Sequence, residues 1–469
     1  MSGVNLALMT DSYKFTHWRQ YPPETEVVYS YFESRGGAYR DVVFFGLQGL
    51  IKRYLLTPIT TADVLEAREF VKAHLGSADL FNHGGKLPVR IRAVPEGLPV
   101  PTLNVLMTVE NTCPRCYWLT NYLETLLSQV WYPSTVATQS RECRRIITEF
   151  LIKTGDVSLI HFKLHDFGFR GVSSVESAGV GGLAHLINFR GTDTVAAIVY
   201  GSRYYHEPMA GFSVPAAEHS TITSWGRDHE VDAFRNMIDQ YGSGAPGVYA
   251  VVSDSFNIFE ACENLWGEQL HDRVVSAENT LVVRPDSGDP PATVVRVLEL
   301  LGEKFGTTTN PKGYRVLHPK VRVIQGDGVD LRSIRAILQQ MQDAGWSADN
   351  IAFGMGGALL QRLNRDTLKF AFKCSAIRVG GMWRDVYKEP VTDPGKNSKR
   401  GRLKLVRERS VLGAVRYLTV RAEDPAHAGE PDVLQTVYED GALVLDHRFE
   451  QVRERAMPLE GLQAAAATA

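Results

Sequence analysis

Five times between residues 160 and 360 a short apolar run ends abruptly in Asp or Gly: HFKLHDFGFRG (161–171), GVYAVVSDS (247–255), LVVRPDSGDP (281–290), VRVIQGDGVD (321–330) and IAFGMGG (351–357). In each, a few residues read as a buried strand, and a helix-period segment follows, which is the punctuation of parallel βα units. In a βα barrel the loops at the C-terminal ends of the strands build the active site. Asp at those ends, alternating with Gly that bares backbone N–H groups, suits a Mg²⁺-bound, phosphate-rich substrate. The pattern therefore points to an enzyme.

At 469 residues the chain has room for two or three domains. A net charge of −2, with 44% hydrophobic and 22% charged residues, describes a globular protein and lacks the basic excess of a nucleic-acid binder. No apolar run reaches the roughly 18 residues a membrane span needs. The N-terminus, MSGVNLALMTDSYK, has no basic segment leading into an apolar one, so no secretory signal is expected. Five scattered cysteines, Cys113, Cys116, Cys143, Cys262 and Cys374, fit reduced thiols and a cytoplasmic location. Cys113-Pro-Arg-Cys116 lacks the second ligand pair that a zinc site requires.

The expected architecture is α/β, an irregular βα barrel over 126–384 beside a mixed, β-rich domain formed by 1–125 together with 385–469. In the second domain VVYSYFES (27–34) and the two runs within 87–111 read as strands, and 60–75 as a helix capped by Thr60 or Thr61. Barrel helices are expected at 136–153, 173–187, 228–241, 255–269, 290–304, 330–344 and 357–367; the one at 290 opens on two prolines, where a missing N–H costs little. Residues 385–450 return to strands around a basic loop, DPGKNSKRGRLKL (393–405), and LQAAAATA (462–469) reads as a frayed end.

Three segments carry the chemistry. In VPAAEHSTITSWGRDHE (214–230), His219 sits at a strand-to-helix turn, flanked by Glu218 and by the hydroxyls of Ser220 and Thr221; alone it would read as a surface histidine. HEVDA (229–233) is not the HExxH of a zinc protease. In RPDSG (284–288), Arg284 can bind phosphate bidentately and Asp286 can accept from two sugar hydroxyls. The glycine turns at Gly326-Asp327-Gly328 and Gly354-Met355-Gly356-Gly357 let backbone N–H groups approach a terminal phosphate. In HDFGFRG (165–171), Phe167, Phe169 and Arg170 offer a flat ring beside a cation, although both rings could equally be core. GTDT (191–194) leaves the Asp193 carboxylate free to accept from an amide NH₂.

Read together, DSYKFTHWRQYPP (11–23), FKLHDFGFRGVSS (162–174), NFRGTDTVA (188–196), SVPAAEHSTIT (213–223), VVSDS (251–255), RPDSG (284–288) and VIQGDGVD (323–330) resemble the nicotinamide phosphoribosyltransferase family. The resemblance runs from about residue 5 to about 405 and is loose beyond. It implies the type II phosphoribosyltransferase fold and a homodimer with shared active sites. It also implies a pentosyl transfer in NAD salvage, from phosphoribosyl pyrophosphate to nicotinamide, with Mg²⁺. By that likeness Phe167 stacks one face of the pyridine, and Tyr13 of the neighbouring subunit covers the other. Asp193 accepts from the carboxamide and Asp286 holds the ribose hydroxyls. Arg170 and Arg284 serve the phosphate or pyridine surroundings. Gly326, Asp327, Gly356 and Gly357 cradle the 5′-phosphate, and Arg35, Arg365, Lys373, Lys388 and Lys396 bind further phosphates. His219 is expected to be phosphorylated by ATP, with Asp254 orienting its ring. The direct Mg²⁺ ligands are not assigned.

The chain departs from the family pattern after Arg35 (GGAYRDVVFFGLQ), at Met355 and through RVGGMWRDVYKEP (378–390), where loop contacts are expected to differ. Three rivals are a nicotinate phosphoribosyltransferase, a Schiff-base aldolase using Lys373, and a non-enzymatic binding protein. Asp193 speaks against the first, because two facing anions repel in a desolvated site.

Overall fold

The computed structural model describes residues 5–75, 85–245, 247–393, 396–409 and 415–457; the expected frayed end at 462–469 lies outside these. The chain forms two compact units, one of Met1–Thr138, Ser202–Glu207 and Leu363–Ala456, the other of Gln139–Gly201, Pro208–Arg362 and Met457–Ala469. These limits differ from the expected 125/126 and 384/385. The N-terminal boundary falls inside one helix, Trp131–Thr154, and at the C-terminal side Phe370–Val379 pairs antiparallel with Thr25–Ser34, which takes it out of the barrel.

The first unit is built on a seven-stranded antiparallel sheet. Its order is Met382–Asp385, Phe370–Val379, Thr25–Ser34, Val105–Asn111, Val89–Ala93, Gln435–Glu439, Ala442–Leu443. Thr25–Ser34 is central and nearly all buried, which explains its run of Val, Tyr and Phe in place of strict alternation. Its core joins Tyr31, Phe32, Val89, Ile91, Met107 and Tyr438. Helix Thr61–Leu75 starts as expected, with the Thr60 hydroxyl accepting from Asp63 N–H at 3.2 Å.

The second unit holds six parallel strands: β1 (Leu164–Asp166), β2 (Gly191–Thr192), β3 (Val248–Val252), β4 (Thr280–Arg284), β5 (Val321–Gln325) and β6 (Ile351–Met355). They lie in the order β2-β1-β6-β5-β4-β3. An extended segment closes the ring, with Phe212 bridging Gly191 at one edge and Ala216 bridging Ala250 at the other. The result is an irregular barrel whose last stave is a Pro-containing stretch. Helices follow the strands: Val175–His185, Glu230–Tyr241, Ile258–Glu260 running on into Ala261–Gln269, Pro290–Phe305 and Leu331–Asp343. Asp289 caps the fourth through Ala292 N–H at 3.2 Å, and Asp330 caps the fifth through Arg332 and Ser333 N–H.

Two helix expectations need correction. The helix placed at 357–367 ends at Leu360, and Asn364 then caps a separate 3₁₀ turn, Arg365–Thr367, through Asp366 and Thr367 N–H. Helix Val195–Tyr205 was not anticipated; its valine-rich start disguises the period. Among the described residues no helix is long and apolar enough to cross a membrane, and none of the five cysteines is in a disulfide.

Candidate active site

The C-terminal ends of the parallel strands deliver the expected residues to one rim. Past β1, Asp166 is fully buried and its Oδ1 accepts from Gly168 N–H at 2.7 Å, which turns the chain sharply after Phe167. Phe167 N–H donates to the Met355 carbonyl at 3.0 Å, so the ring is carried by β1 and β6 jointly. That ring lies on bare backbone. A Cβ at Gly354 would come within 1.9 Å of Phe167 Cε2, and one at Gly326 within 3.6 Å. Glycine at 354 is therefore a requirement of the aromatic floor and serves no turn. Met355, expected in a turn, ends β6 as a core residue.

Next to this floor stand Arg284 and Asp286. A Cβ at Gly326 would meet Asp286 Oδ1 at 2.9 Å and Arg284 Cδ at 3.6 Å. Arg284 Nε lies 3.7 Å from Asp286 Oδ1, too far for a hydrogen bond, and is buried without a partner. Burial raises the Asp286 carboxyl above its ordinary range; Arg284 and His219 oppose the rise, and Asp254 and Asp327 add to it. Three carboxylates, an arginine and a histidine thus feel one another at the ends of neighbouring strands. Asp327 itself is exposed, its carbonyl accepting from Gln325 Nε2 at 2.8 Å.

His219 opens the short helix His219–Thr223, and its Nε2 lies 2.9 Å from Asp254 Oδ1. The histidine is half-exposed and the aspartate side chain is 5% exposed, so a buried anion grips an accessible ring. The Ser220 hydroxyl donates to Glu218. On the other flank, Asp193 follows β2 and is exposed, accepting from the Ser213 hydroxyl. Arg170, in a 3₁₀ turn, and Gly356 and Gly357, at the end of β6, complete the rim; a Cβ at Gly357 would meet nothing within 4 Å.

The remaining expected residues belong to the other unit. Tyr13 projects from the 3₁₀ helix Ser12–Arg19, 57% exposed, with the His17 ring at 4.7 Å. Arg35 Nε is 2.9 Å from Glu33 Oε1, while its Nη2 is buried with no partner. Lys373 lies mid-strand opposite Tyr31, where burial lowers its pKa and Arg35, Lys388 and Arg365 lower it further against Glu124. Three further cations thus act on Lys373. The mid-strand position also removes Lys373 from a strand end, the place an aldolase lysine would need. Lys396 pairs with Asp393 at 3.0 Å.

Sequence reasoning missed Ser213, Lys399 and Glu230. Lys399 Nζ joins Arg35 on Glu33, and its only signal was membership of the basic loop. Glu230 is 7% exposed with Oε1 unpartnered, and burial pushes its carboxyl up to about 7, with Arg227 opposing and Asp254 reinforcing. Among the described residues one group, Glu408, His427 and Glu430, is spaced to chelate an ion, and none of its members was expected at the site.

Comparison with known proteins agrees with this geometry. Residues 162–441 match the nicotinate phosphoribosyltransferase (NAPRTase) family, and residues 5–91 match the N-terminal domain of nicotinamide phosphoribosyltransferase. The chain is 53% identical over 464 residues to the nicotinamide phosphoribosyltransferase of Xanthomonas campestris pv. campestris (strain 8004), covering 96% of this chain and 98% of that one. It is 34% identical to the nicotinamide phosphoribosyltransferase of Acinetobacter baylyi, over 98% of this chain and 99% of that one. Among solved structures, the nicotinate-nucleotide pyrophosphorylase from Pyrococcus furiosus superposes with a TM-score of 0.63 at 16% identity, covering 99% of this chain and 96% of that one. Human nicotinic acid phosphoribosyltransferase gives 0.58 at 18% identity, covering 96% and 93%. The fold is that of the type II phosphoribosyltransferases. With enzymes of this kind matched over nearly its whole length, the chain is a pentosyl-transferring enzyme and belongs to the nicotinamide phosphoribosyltransferase family.

Proposed function

We propose that the protein condenses nicotinamide with phosphoribosyl pyrophosphate to give nicotinamide mononucleotide and pyrophosphate, a step of NAD salvage. The observation that carries this reading is the Phe167 ring laid on Gly354 and Gly326, with Arg284 and Asp286 at its edge. A flat heteroaromatic base stacked there would face a ribose held by Asp286.

The pyridine nitrogen attacks C1 of the ribose as the C1–O bond to pyrophosphate breaks. That nitrogen bears no proton, so no general base is needed. Catalysis rests on alignment and on stabilising the departing charge. Arg284, with its unpartnered Nε, supplies one fixed cation beside the reacting centre. The open backbone at Gly356 and Gly357, with Gly326 and Asp327, leaves room for the 5′-phosphate. Arg35, Arg365, Lys373 and Lys388 form a cation set suited to further phosphates.

Mg²⁺ fits the charge excess that Asp254 and Asp327 impose on Asp286. Mg²⁺ is usually held by one or two carboxylates with substrate phosphates completing its shell. When bound, it would neutralise charge building on the leaving pyrophosphate. Asp286, with Asp254 or Asp327 as its neighbour, would hold it, substrate phosphates completing the shell.

His219 is free of the transfer step and would accept a phosphoryl group from ATP. Asp254 binds Nε2, so the imidazole proton is held there and the Nδ1 lone pair is left for attack at the γ-phosphorus, with ADP departing. Homodimer formation would bring Tyr13 of a second copy over the open face of the base. A normal ATPase rate in Asp254→Ala would break the assigned pairing.

The deciding experiment measures mononucleotide formation from phosphoribosyl pyrophosphate and Mg²⁺ with nicotinamide or nicotinate, in wild type and Asp193→Asn. Strong preference for nicotinamide that shrinks in the variant is expected. Equal use of both bases, or preference for nicotinate, overturns the substrate assignment.

A further inference from the structure

The loop after β5 carries the glycines and the aspartate assigned to the 5′-phosphate, and a buried amide side chain beneath it holds its shape. Gly326 faces the site: a Cβ there would meet Asp286 Oδ1 at 2.9 Å and Arg284 Cδ at 3.6 Å. Gln325, one residue earlier and the last of β5, points to the opposite face and is 1% exposed. Its Nε2 donates to the Asp327 carbonyl at 2.8 Å.

A trans peptide is planar, with its C=O and its N–H on opposite edges. The grip on the Asp327 carbonyl therefore fixes the Gly328 N–H too, directed away from Gln325. Gly328 has φ +66°, and a glycine there lets the 327–328 peptide turn over at little cost once the carbonyl is released. At the far end of the loop, Asp330 N–H donates to Ser333 Oγ at 2.8 Å as part of the cap of helix Leu331–Asp343. Between these two anchors the N–H groups of Asp327, Gly328 and Val329 donate to no acceptor among the described residues. Successive main-chain donors of this kind form a concavity for an anion. Gln325 Oε1, meanwhile, is buried without a partner. An unsatisfied buried amide oxygen costs stability, and a methionine would fill the same space without it. Packing alone does not explain a glutamine at this position; the bond to Asp327 does.

We propose that Gln325 is a positioning residue for the 5′-phosphate of phosphoribosyl pyrophosphate: by holding the Asp327 carbonyl it turns the Gly328 N–H toward that phosphate and sets the loop before substrate arrives. The inference rests on the functional reading given above and gives Gln325 no contact with substrate. Its influence falls on one phosphate group and spares the pyrophosphate moiety and the base.

The test is titration calorimetry of the full-length enzyme with ribose 5-phosphate and, separately, with pyrophosphate and Mg²⁺, in wild type and in Gln325→Met, which keeps size and cannot donate. The variant is expected to bind ribose 5-phosphate about tenfold more weakly, the scale of one lost hydrogen bond to a charged group, with pyrophosphate affinity unchanged. Gln325→Glu supplies the rescue. Its carboxyl can donate to the carbonyl only when protonated, so its deficit against wild type is expected to shrink as pH falls from about 8 to about 6. Should the methionine variant fail to fold, the glutamate variant decides alone. Unchanged ribose 5-phosphate affinity overturns the inference, as does an equal loss for pyrophosphate, the mark of a merely structural residue. A wild type that makes mononucleotide from neither base overturns the functional reading, while a selective loss of ribose 5-phosphate in Gln325→Met would still uphold the role of Gln325 in the loop.

Discussion

The two sheets position functional side chains by different physics. In the parallel barrel, residues far apart in sequence, Asp166, Asp254, Asp286 and Asp327, arrive at one rim because every strand ends on the same side. Their placement follows from main-chain geometry: strand register, the Asp166–Gly168 turn, the glycines under Phe167. In the antiparallel sheet neighbouring strands end on opposite sides, so no shared rim exists. The cations Arg35 and Lys399 are collected by side-chain pairing instead, both on Glu33. One unit holds a site placed by main-chain geometry, the other a set of cations held by side-chain pairing.

Mutations can break that contrast. The largest effect is expected at the rim: Arg284→Ala should lower kcat on the order of 10²- to 10³-fold, as for other fixed groups that meet developing charge. Steady-state kinetics showing less than about a tenfold loss would put the two sheets on the same footing.

Next comes Gly354→Ala. The added methyl would lie 1.9 Å from the Phe167 ring and must displace it, so KM for the base should rise up to about 10²-fold while circular dichroism stays native. Unaltered base affinity would mean that the ring is not the floor.

In the antiparallel unit, Glu33→Gln should raise KM for phosphoribosyl pyrophosphate about tenfold and steepen its dependence on salt, because screening acts on the loosened cations. An equal effect on the base would show that the charges do not act separately.

The smallest effect concerns stability. Glu230, raised to about 7 in the fold, stabilises fully below its unfolded value near 4.5, and that contribution is lost as pH rises through 7. Glu230→Gln should flatten this slope and raise stability at pH 8 by about 1 kcal/mol, read as Tm against pH. A variant that keeps the wild-type slope would clear Glu230 of the effect.

How far the sequence announces this molecule depends on how local each signal is. Helix Pro290–Phe305 is legible because Asp289 and two prolines mark its start within four residues, and the strand-end Asp and Gly residues are legible for the same reason. The pairing of His219 with Asp254 could be anticipated from two adjacent motifs. The closing segment could not: Phe212 and Ala216 make one bridge each, to opposite edges, and a Pro interrupts any alternation. Asn364 is a strong cap signal inside the helix expected at 357–367, and it opens a separate 3₁₀ turn there. Glu230 lies in HEVDA, which signals only that a zinc-protease motif is absent; its burial depends on packing that no short motif encodes.

The glycine-backed floor under Phe167 has an evolutionary consequence. Selection reshapes a binding surface by exchanging side chains, and at Gly354 and Gly326 there is none to exchange. Any added atom at the first displaces the ring and at the second presses on Asp286. A flat inhibitor stacked on that ring would therefore meet a surface with no tolerated variants directly beneath it. Resistance would have to arise around the circumference, at positions such as Ser213, whose hydroxyl donates to Asp193.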